Sequence, residues 1–255
     1  MKFTIVAVDE KNIAQHPQVI CFINPRHEHY GRKVAWLKKR FREGMKIKLL
    51  YLEGEKKPAA FIEYVPGEYA WRAVSAKDYL FIHCILVFAN KYKNRGIGTR
   101  LLDDCLAEAK NSGYLGVAVV VSSGSFMAKR DLFIKNGFQV VASAGPRHEL
   151  LAKSVKKGPF PKFNDWQKER SACRGLCIVY SEQCPWVARF VAEIKDKLKG
   201  LHGPLTLRKL ETPAQAQQAP SPYATFNLIY QGRLLADHYI SETRFLNILK
   251  KEKLL

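Results

Sequence analysis

Hydrophobic and polar positions change their period several times along this chain, and each change predicts an element. Phe3–Val8 reads as a strand, and two helical stretches follow before residue 45. Lys46–Glu53 and Ala59–Val65 read as a β-hairpin joined through Gly54–Pro58. Tyr79–Val87 (YLFIHCILV) is so continuously apolar that it predicts a central strand. Helical spacing returns over Gly96–Asn111, with Leu101, Leu102, Cys105, Leu106 and Ala109 on one face. Gly116–Ser122 predicts another buried strand, Phe126–Asn136 a helix, Phe138–Ser143 a strand ended by Gly145-Pro146, and Glu149–Ala152 a late strand.

The pattern breaks at Lys153–Trp166 (KSVKKGPFPKFNDW), where charges mix with Pro, Gly and Asn. This predicts a first domain over residues 1–155, a linker over 156–170 and a second domain over 171–255. The second domain reads as strand Leu176–Ser181, helix Pro185–Leu198 and strand Leu205–Leu210, then a loop or short helix within Glu211–Pro222. Strands Thr225–Tyr230 and Arg233–Tyr239 flank a Gln231-Gly232 turn, and helix Glu242–Lys250 closes the domain. The fold class is α/β (α+β), a mixed central sheet with flanking helices followed by a smaller αβ domain.

At 255 residues and 47% hydrophobic content, the chain can bury real cores and is not disordered. No apolar run approaches the roughly 20 residues that cross a bilayer. The amino-terminal stretch turns acidic at Asp9-Glu10 before a signal-peptide core develops, so the expected location is cytoplasmic. Lys and Arg number 42 against 23 Asp and Glu, a net +19 spread over both halves. Such charge suits a nucleotide-bearing ligand, an acidic substrate, nucleic acid or simply a solvated surface. In the densest basic stretch, residues 26–48, Trp36, Leu37 and Phe41 recur at helical spacing, which favours a helix with one buried face over a nucleic-acid site. The six cysteines show no CxxC pair and no Cys/His metal spacing, so neither a disulfide scaffold nor a metal is expected.

Candidate chemistry starts at Lys93-Asn94-Arg95-Gly96-Ile97-Gly98-Thr99-Arg100, between the apolar strand and the amphipathic helix. A glycine-bearing turn entering a helix exposes backbone N–H groups where the helix dipole is positive, a cradle for pyrophosphate. Lys93, Arg95 and Arg100 add charge. A Walker loop would need Gly-Lys-Ser/Thr; a dinucleotide fingerprint would need a third glycine where Arg100 stands and an acidic residue where the next strand ends in Ser122-Ser123.

Taken in order, the strand YLFIHCILVFAN, the loop and helix KNRGIGTRLLDDCLAEAK, the strand GVAVVVSS and the ending AKRDLFIKNGFQVV resemble the GNAT acyltransferase family over roughly residues 2–153. The resemblance implies the GNAT fold and acetyl-CoA as acyl donor, bound where two parallel strands splay. The backbone of Leu86 and Val87 would receive the pantetheine arm. Lys93, Arg95, Gly96, Ile97, Gly98 and Thr99 would hold the pyrophosphate. Attack by an amine needs a base within reach, and Glu63 and His83 are the candidates on nearby strands. Many family members place a tyrosine four residues before the Gly of the Gly137-Phe138 pair, as a proton donor; here Phe133 stands there. Water, Ser123 or Ser125 would replace it, or the thiolate would leave unprotonated, since a thiol pKa is only ~8.5. The loop Ile62–Arg72 carries Glu68, Tyr69, Trp71 and Arg72 around a turn, an expected wall for a small primary amine as acceptor.

In the carboxy-terminal third, Cys177–Cys184 and the segment SPYATFNLIYQGRLLADHYISETRFLNIL resemble the YoaP-like domain, and the element order is thioredoxin-like. The place of a Cys-x-x-Cys at a helix start reads Cys184-Pro185-Trp186-Val187, lacking the second cysteine. The expected activity is an acetyl-CoA-dependent N-acetyltransferase working by direct attack in a ternary complex; the rival is a thiol-redox or binding protein acting through Cys184. Oligomeric state is not legible in the sequence.

Overall fold

The computed structural model describes residues 2–17, 24–124, 127–201 and 203–255. The chain divides into two compact units, one built from Met1–Phe22, Leu37–Ala70 and Val74–Phe163, the other from Ile23–Trp36, Trp71–Ala73 and Asn164–Leu255. The second unit therefore takes two pieces from the amino-terminal half, which the expected boundary did not anticipate. The stretch expected as linker carries a two-residue strand at Lys162–Phe163 and a short helix at Trp166–Ser171.

In the first unit the strands are β1 (Phe3–Val8), β2 (Lys46–Leu52), β3 (Ala60–Pro66), β4 (Val74–Ser75), β5 (Tyr79–Val87), β6 (Gly116–Ser122), β7 (Gln139–Ala144), β8 (His148–Ser154) and β9 (Lys162–Phe163). Seven of them form one sheet in the order β1-β2-β3-β5-β6-β8-β7, and β4 pairs with β9 apart from it. Every neighbour in the large sheet is antiparallel except β5 and β6, which run parallel. β6 (GVAVVVS) is buried at every position, as a β-branched strand covered on both faces requires.

Helix α1 spans Glu28–Arg42, α2 Ile97–Asn111 and α3 Arg130–Lys135. Of the two helical stretches expected before residue 45, the earlier one shows a 3-10 turn at Ile13–Gln15 among the described residues. The His16-Pro17 step explains this, because proline disfavours helical backbone in the residue before it. The helix expected from Phe126 begins at Arg130; Phe126 lies outside the described residues. α2 buries the predicted stripe of Leu101, Leu102, Cys105, Leu106 and Ala109 against Ile62, Ile82, Val117 and Val119 of the sheet. Phe133 is wholly buried in the same core, its ring edge-on to Phe138 at 5.3 Å.

A charged network fastens α2 to the strands. The Tyr64 hydroxyl donates to Glu108 Oε2 at 2.6 Å, Lys46 Nζ lies 2.7 Å from Glu108 Oε1, and Lys48 pairs with both Glu108 and Asp104. Burial acts to raise the Glu108 pKa, but the donors from Lys46, Tyr64 and Lys48 outweigh it and hold the carboxyl below its usual value.

In the second unit, β10 (Leu176–Tyr180), β11 (Leu205–Lys209), β12 (Phe226–Tyr230) and β13 (Arg233–Ala236) form a sheet in the order β11-β10-β12-β13. β10 and β11 are parallel, and β12 is antiparallel to both its neighbours. The helices are α4 (Trp166–Ser171), α5 (Pro185–Ile194), α6 (Pro213–Gln217) and α7 (Glu242–Lys251). Phe190 of α5 sits at the centre of the core, edge-on to Phe226 at 5.5 Å and to Phe245 of α7 at 5.7 Å.

Two outcomes are expected. Phe133→Ala removes a fully buried ring and lowers unfolding free energy by about 3–5 kcal/mol in denaturant titration. The stabilisation carried by ionised Glu108 is complete above its unfolded pKa of 4.5 and fades as pH falls through the lower folded value. Glu108→Gln therefore lowers the urea midpoint at pH 7 and weakens its further fall between pH 5 and 3.

Candidate functional site

The parallel pairing of β5 with β6 is short. It runs from Tyr79 opposite Gly116 only to Ile82 opposite Val119. Past that point each strand keeps its other neighbour: β5 stays paired with β3 as far as Val87, and β6 with β8 as far as Ser122. Both strands continue beyond that point, and the backbone edges of residues 83–87 and 120–122 are no longer paired with each other. A β-bulge marks the start of this divergence. Glu63 faces Cys84 but Tyr64 faces Ile82, leaving His83 as the extra residue on β5. Bulges strengthen local twist and re-aim side chains, which accounts for both the splay and the placement of His83.

At the bulge, His83 Nδ1 stands 3.4 Å from Glu63 Oε1. The His83 side chain is wholly buried and that of Glu63 retains 6% exposure, so the carboxylate is the member nearer solvent. The Phe81 ring packs edge-on to the imidazole at 5.8 Å. The structure thus brings together the two residues considered separately as bases. Leu86 is exposed and Val87 half-buried along the open edge. Ser123 is exposed immediately beyond the end of β6, its N–H donating to Arg147 O at 3.2 Å; Ser125 lies outside the described residues.

After β5 the chain makes a 3-10 turn, Asn90–Tyr92, held by the Tyr92 hydroxyl and Lys91 Nζ on Glu55 Oε1 at 2.7 and 3.0 Å. It then reaches Gly96, which caps α2 with φ +73°, a backbone region that glycine enters without strain. No side chain caps this helix start. A Cβ built on Gly96 would meet nothing within 4 Å, so the space beside it is open. Gly98 by contrast packs against Leu132, which a Cβ would approach to 3.3 Å. Lys93 and Arg95 are exposed, Thr99 is half-buried, and Ile97 turns its side chain into the core while its amide belongs to the first turn. Arg100 is drawn away over the Phe3 ring at 4.5 Å.

The expected acceptor wall does not hold together. Glu68 and Tyr69 are exposed on the 3-10 turn Gly67–Tyr69, but Trp71 and Arg72 are 1% and 4% exposed and belong to the second unit. Trp71 packs edge-on to Trp36 at 5.2 Å. Arg72 Nη1 donates to Trp71 O at 2.6 Å and to Gln183 Oε1 at 2.5 Å, with Thr225 Oγ1 at 3.4 Å and the Tyr223 ring 4.9 Å away. These groups are spent on internal structure and line no open surface. The basic stretch is likewise partly absorbed: Lys33 is buried over the Trp36 ring at 4.2 Å, and buried Arg40 pairs with Glu43 at 2.7 Å.

Cys184 is the N-cap of α5, with Pro185 in its first turn. Burial pushes its thiol upward, against the opposing pull of the Val187 and Trp186 amides and of the charges on Lys33 and Arg72. That is the reverse of an activated thiolate and does not favour the redox reading. Among the described residues no cluster of His, Cys, Asp or Glu could hold a metal ion.

Residues 14–138 match the acetyltransferase (GNAT) family, and residues 204–247 match the YoaP-like family. A curated relative, the uncharacterized N-acetyltransferase YoaP of Bacillus subtilis strain 168, is 26% identical over 249 residues, covering 96% of this chain and 97% of that protein. Solved structures with similarity include the ribosomal-protein-S18-alanine N-acetyltransferase of Escherichia coli, at TM-score 0.42 and 16% identity over 62% of this chain and 97% of that one. The PaiA N-acetyltransferase of Thermoplasma acidophilum, solved in complex with coenzyme A, gives TM-score 0.43 and 14% identity over 61% and 100%. These matches support an acetyltransferase, with similarity to the GNAT family over residues 14–138 and to the YoaP-like family over residues 204–247.

Proposed function

We propose that this chain transfers the acetyl group of acetyl-CoA to a primary amine of a small molecule, by direct attack in a ternary complex. The observation that carries this reading is the loss of pairing between β5 and β6 beyond Ile82 and Val119, beside an uncapped helix start. The open edge at Leu86 and Val87 offers backbone groups to the pantetheine arm and to the thioester carbonyl, whose polarisation favours attack. Amides of Ile97, Gly98 and Thr99 face the pyrophosphate across the open space at Gly96, with Arg95 and Lys93 adding charge.

Glu63 accepts the proton of the incoming ammonium or amine, directly or through one water, because its carboxylate is the less buried side chain of the pair. His83 orients that carboxylate from behind. The amine nitrogen then bonds to the carbonyl carbon, and the carbon–sulfur bond breaks. Phe133, a buried hydrocarbon, cannot protonate the departing thiolate. Exposed Ser123 at the end of β6 or a water serves instead, or the thiolate leaves as such with its pKa of ~8.5. Glu68, exposed after β3, supplies a carboxylate for a cationic acceptor.

For the second unit, the strand order and the antiparallel β12 support a thioredoxin-like reading with an accessory binding role.

Calorimetric titration of acetyl-CoA tests the first half of the proposal. Wild type binds, and Gly96→Asp loses at least about tenfold in affinity, because the new carboxylate repels phosphate and strains a positive φ. Equal affinity in the two proteins sinks the assignment of the loop. The second half is read by CoA release across a panel of amines. Glu63→Gln lowers kcat by about a hundredfold or more while leaving acetyl-CoA affinity in place.

A further inference from the structure

Apart from tyrosines, the polar side chains that the strands of the large sheet bury among the described residues are Glu63, His83, Ser122 and His148. Strand alternation puts all four on one face. The other face is the one packed under α2, whose core takes Ile62 and Tyr64 of β3, Ile82 of β5, Val119 and Val121 of β6 and Leu151 of β8. Glu63 falls between two of these on β3, and Ser122 follows Val121 on β6. Phe81 and His83, whose rings meet at 5.8 Å, flank Ile82 on β5. Ser122 is paired directly with His148 across β6 and β8, a register in which two Cβ atoms on one face stand about 4.5–5.5 Å apart. Burying polar groups costs free energy, so four of them gathered on one face mark a site. They also gather where β5 and β6 cease to pair. Ile82 is opposite Val119, so the same offset carried on puts Cys84, the partner of Glu63, level with Val121. Ser122 is thus one residue beyond the level of Glu63, on the far side of the parting.

We infer that Ser122 and His148 set the acceptor specificity: they hold a hydroxyl of the acceptor while Glu63 takes its amine, so the substrate class is a short amino alcohol. This rests on the transfer reaction proposed above. A hydroxyl and an imidazole each donate and accept, as a substrate hydroxyl does. Ser122 Oγ accepts the Gly124 N–H at 3.0 Å, which leaves its own proton to donate. The carboxylate next to His148 in the chain, Glu149, falls on the α2 face opposite Val121 and is held by Arg130 at 3.0 Å, so it does not serve a second ammonium there. An acceptor carboxylate is repelled by Glu63 itself. β3 and β6 are two strand spacings apart, about 10 Å at the backbone. With side chains reaching in from both sides, an acceptor that meets both carries its hydroxyl about five carbons from its nitrogen.

The test uses the full chain and four primary amines of matched length: 5-amino-1-pentanol, pentylamine, 1,5-diaminopentane and 5-aminopentanoate. CoA release gives kcat/KM for each, and calorimetry follows acetyl-CoA binding alongside. Wild type prefers the amino alcohol to pentylamine by about tenfold, expressed in KM, and also prefers it to the diamine and the amino acid. Ser122→Ala and His148→Phe each bring the ratio of amino alcohol to pentylamine close to one, and retained acetyl-CoA affinity shows that each variant is folded. A variant that lowers both amines in step and keeps the ratio overturns the inference. So does a wild-type preference for any of the other three amines, or a protein that binds acetyl-CoA and turns over none of the four. A wild type that binds no acetyl-CoA removes the transfer reading, and this inference with it.

Discussion

Hydrogen bonding between β5 and β6 stops at Ile82 and Val119, and the chemistry of the first unit follows from that stop. A sheet that stayed zipped to its ends would have no room for a ligand in its plane. Here each strand remains paired on its outer side, so the pairing between the two edges ends without loosening either strand. The bulge at His83 gives the divergence a cause, since the extra residue on β5 adds twist relative to β3. One irregularity thus sits where the strands part and brings an imidazole to the Glu63 carboxylate.

The first turn of α2 is placed by the opposite end of the helix. Tyr64, Lys46 and Lys48 grip Glu108 and Asp104 on the carboxyl half of the helix, on β2 and β3. Tyr64 follows Glu63 in sequence, so neighbouring residues of one strand serve opposite faces of the sheet, one anchoring the helix and the other meeting His83. The first turn begins at a glycine and so has no cap from its own N-cap side chain, and the helix is fastened at its other end.

Much of the scaffold was legible in the sequence. The continuous apolar run of β5, the β2–β3 hairpin and the stripe on α2 are local patterns, and local periodicity is what a sequence displays. The glycine loop at Lys93–Thr99 was legible for the same reason. Register was not. No residue type announces that His83 is the extra member of a bulge, or that pairing ends four residues into β5, because both depend on which strand lies alongside. Trp71 and Arg72 misled because an aromatic and a charge beside a turn look alike whether they face solvent or a core. Only the positions of Gln183, Thr225 and Trp36 settle the matter.

Trp71–Ala73 are counted with the second unit, while Ala70 and Val74 on either side are counted with the first. The polypeptide therefore has no single peptide bond at which the two units come apart. A fragment beginning at Asn164 would leave Gln183 and Thr225 without the guanidinium that bridges them, and one ending at Phe163 would carry Trp71 and Arg72 stripped of their surroundings. Recombination that exchanges one half for a foreign counterpart would meet the same obstacle, so the two units are constrained to be inherited, and to vary, as one.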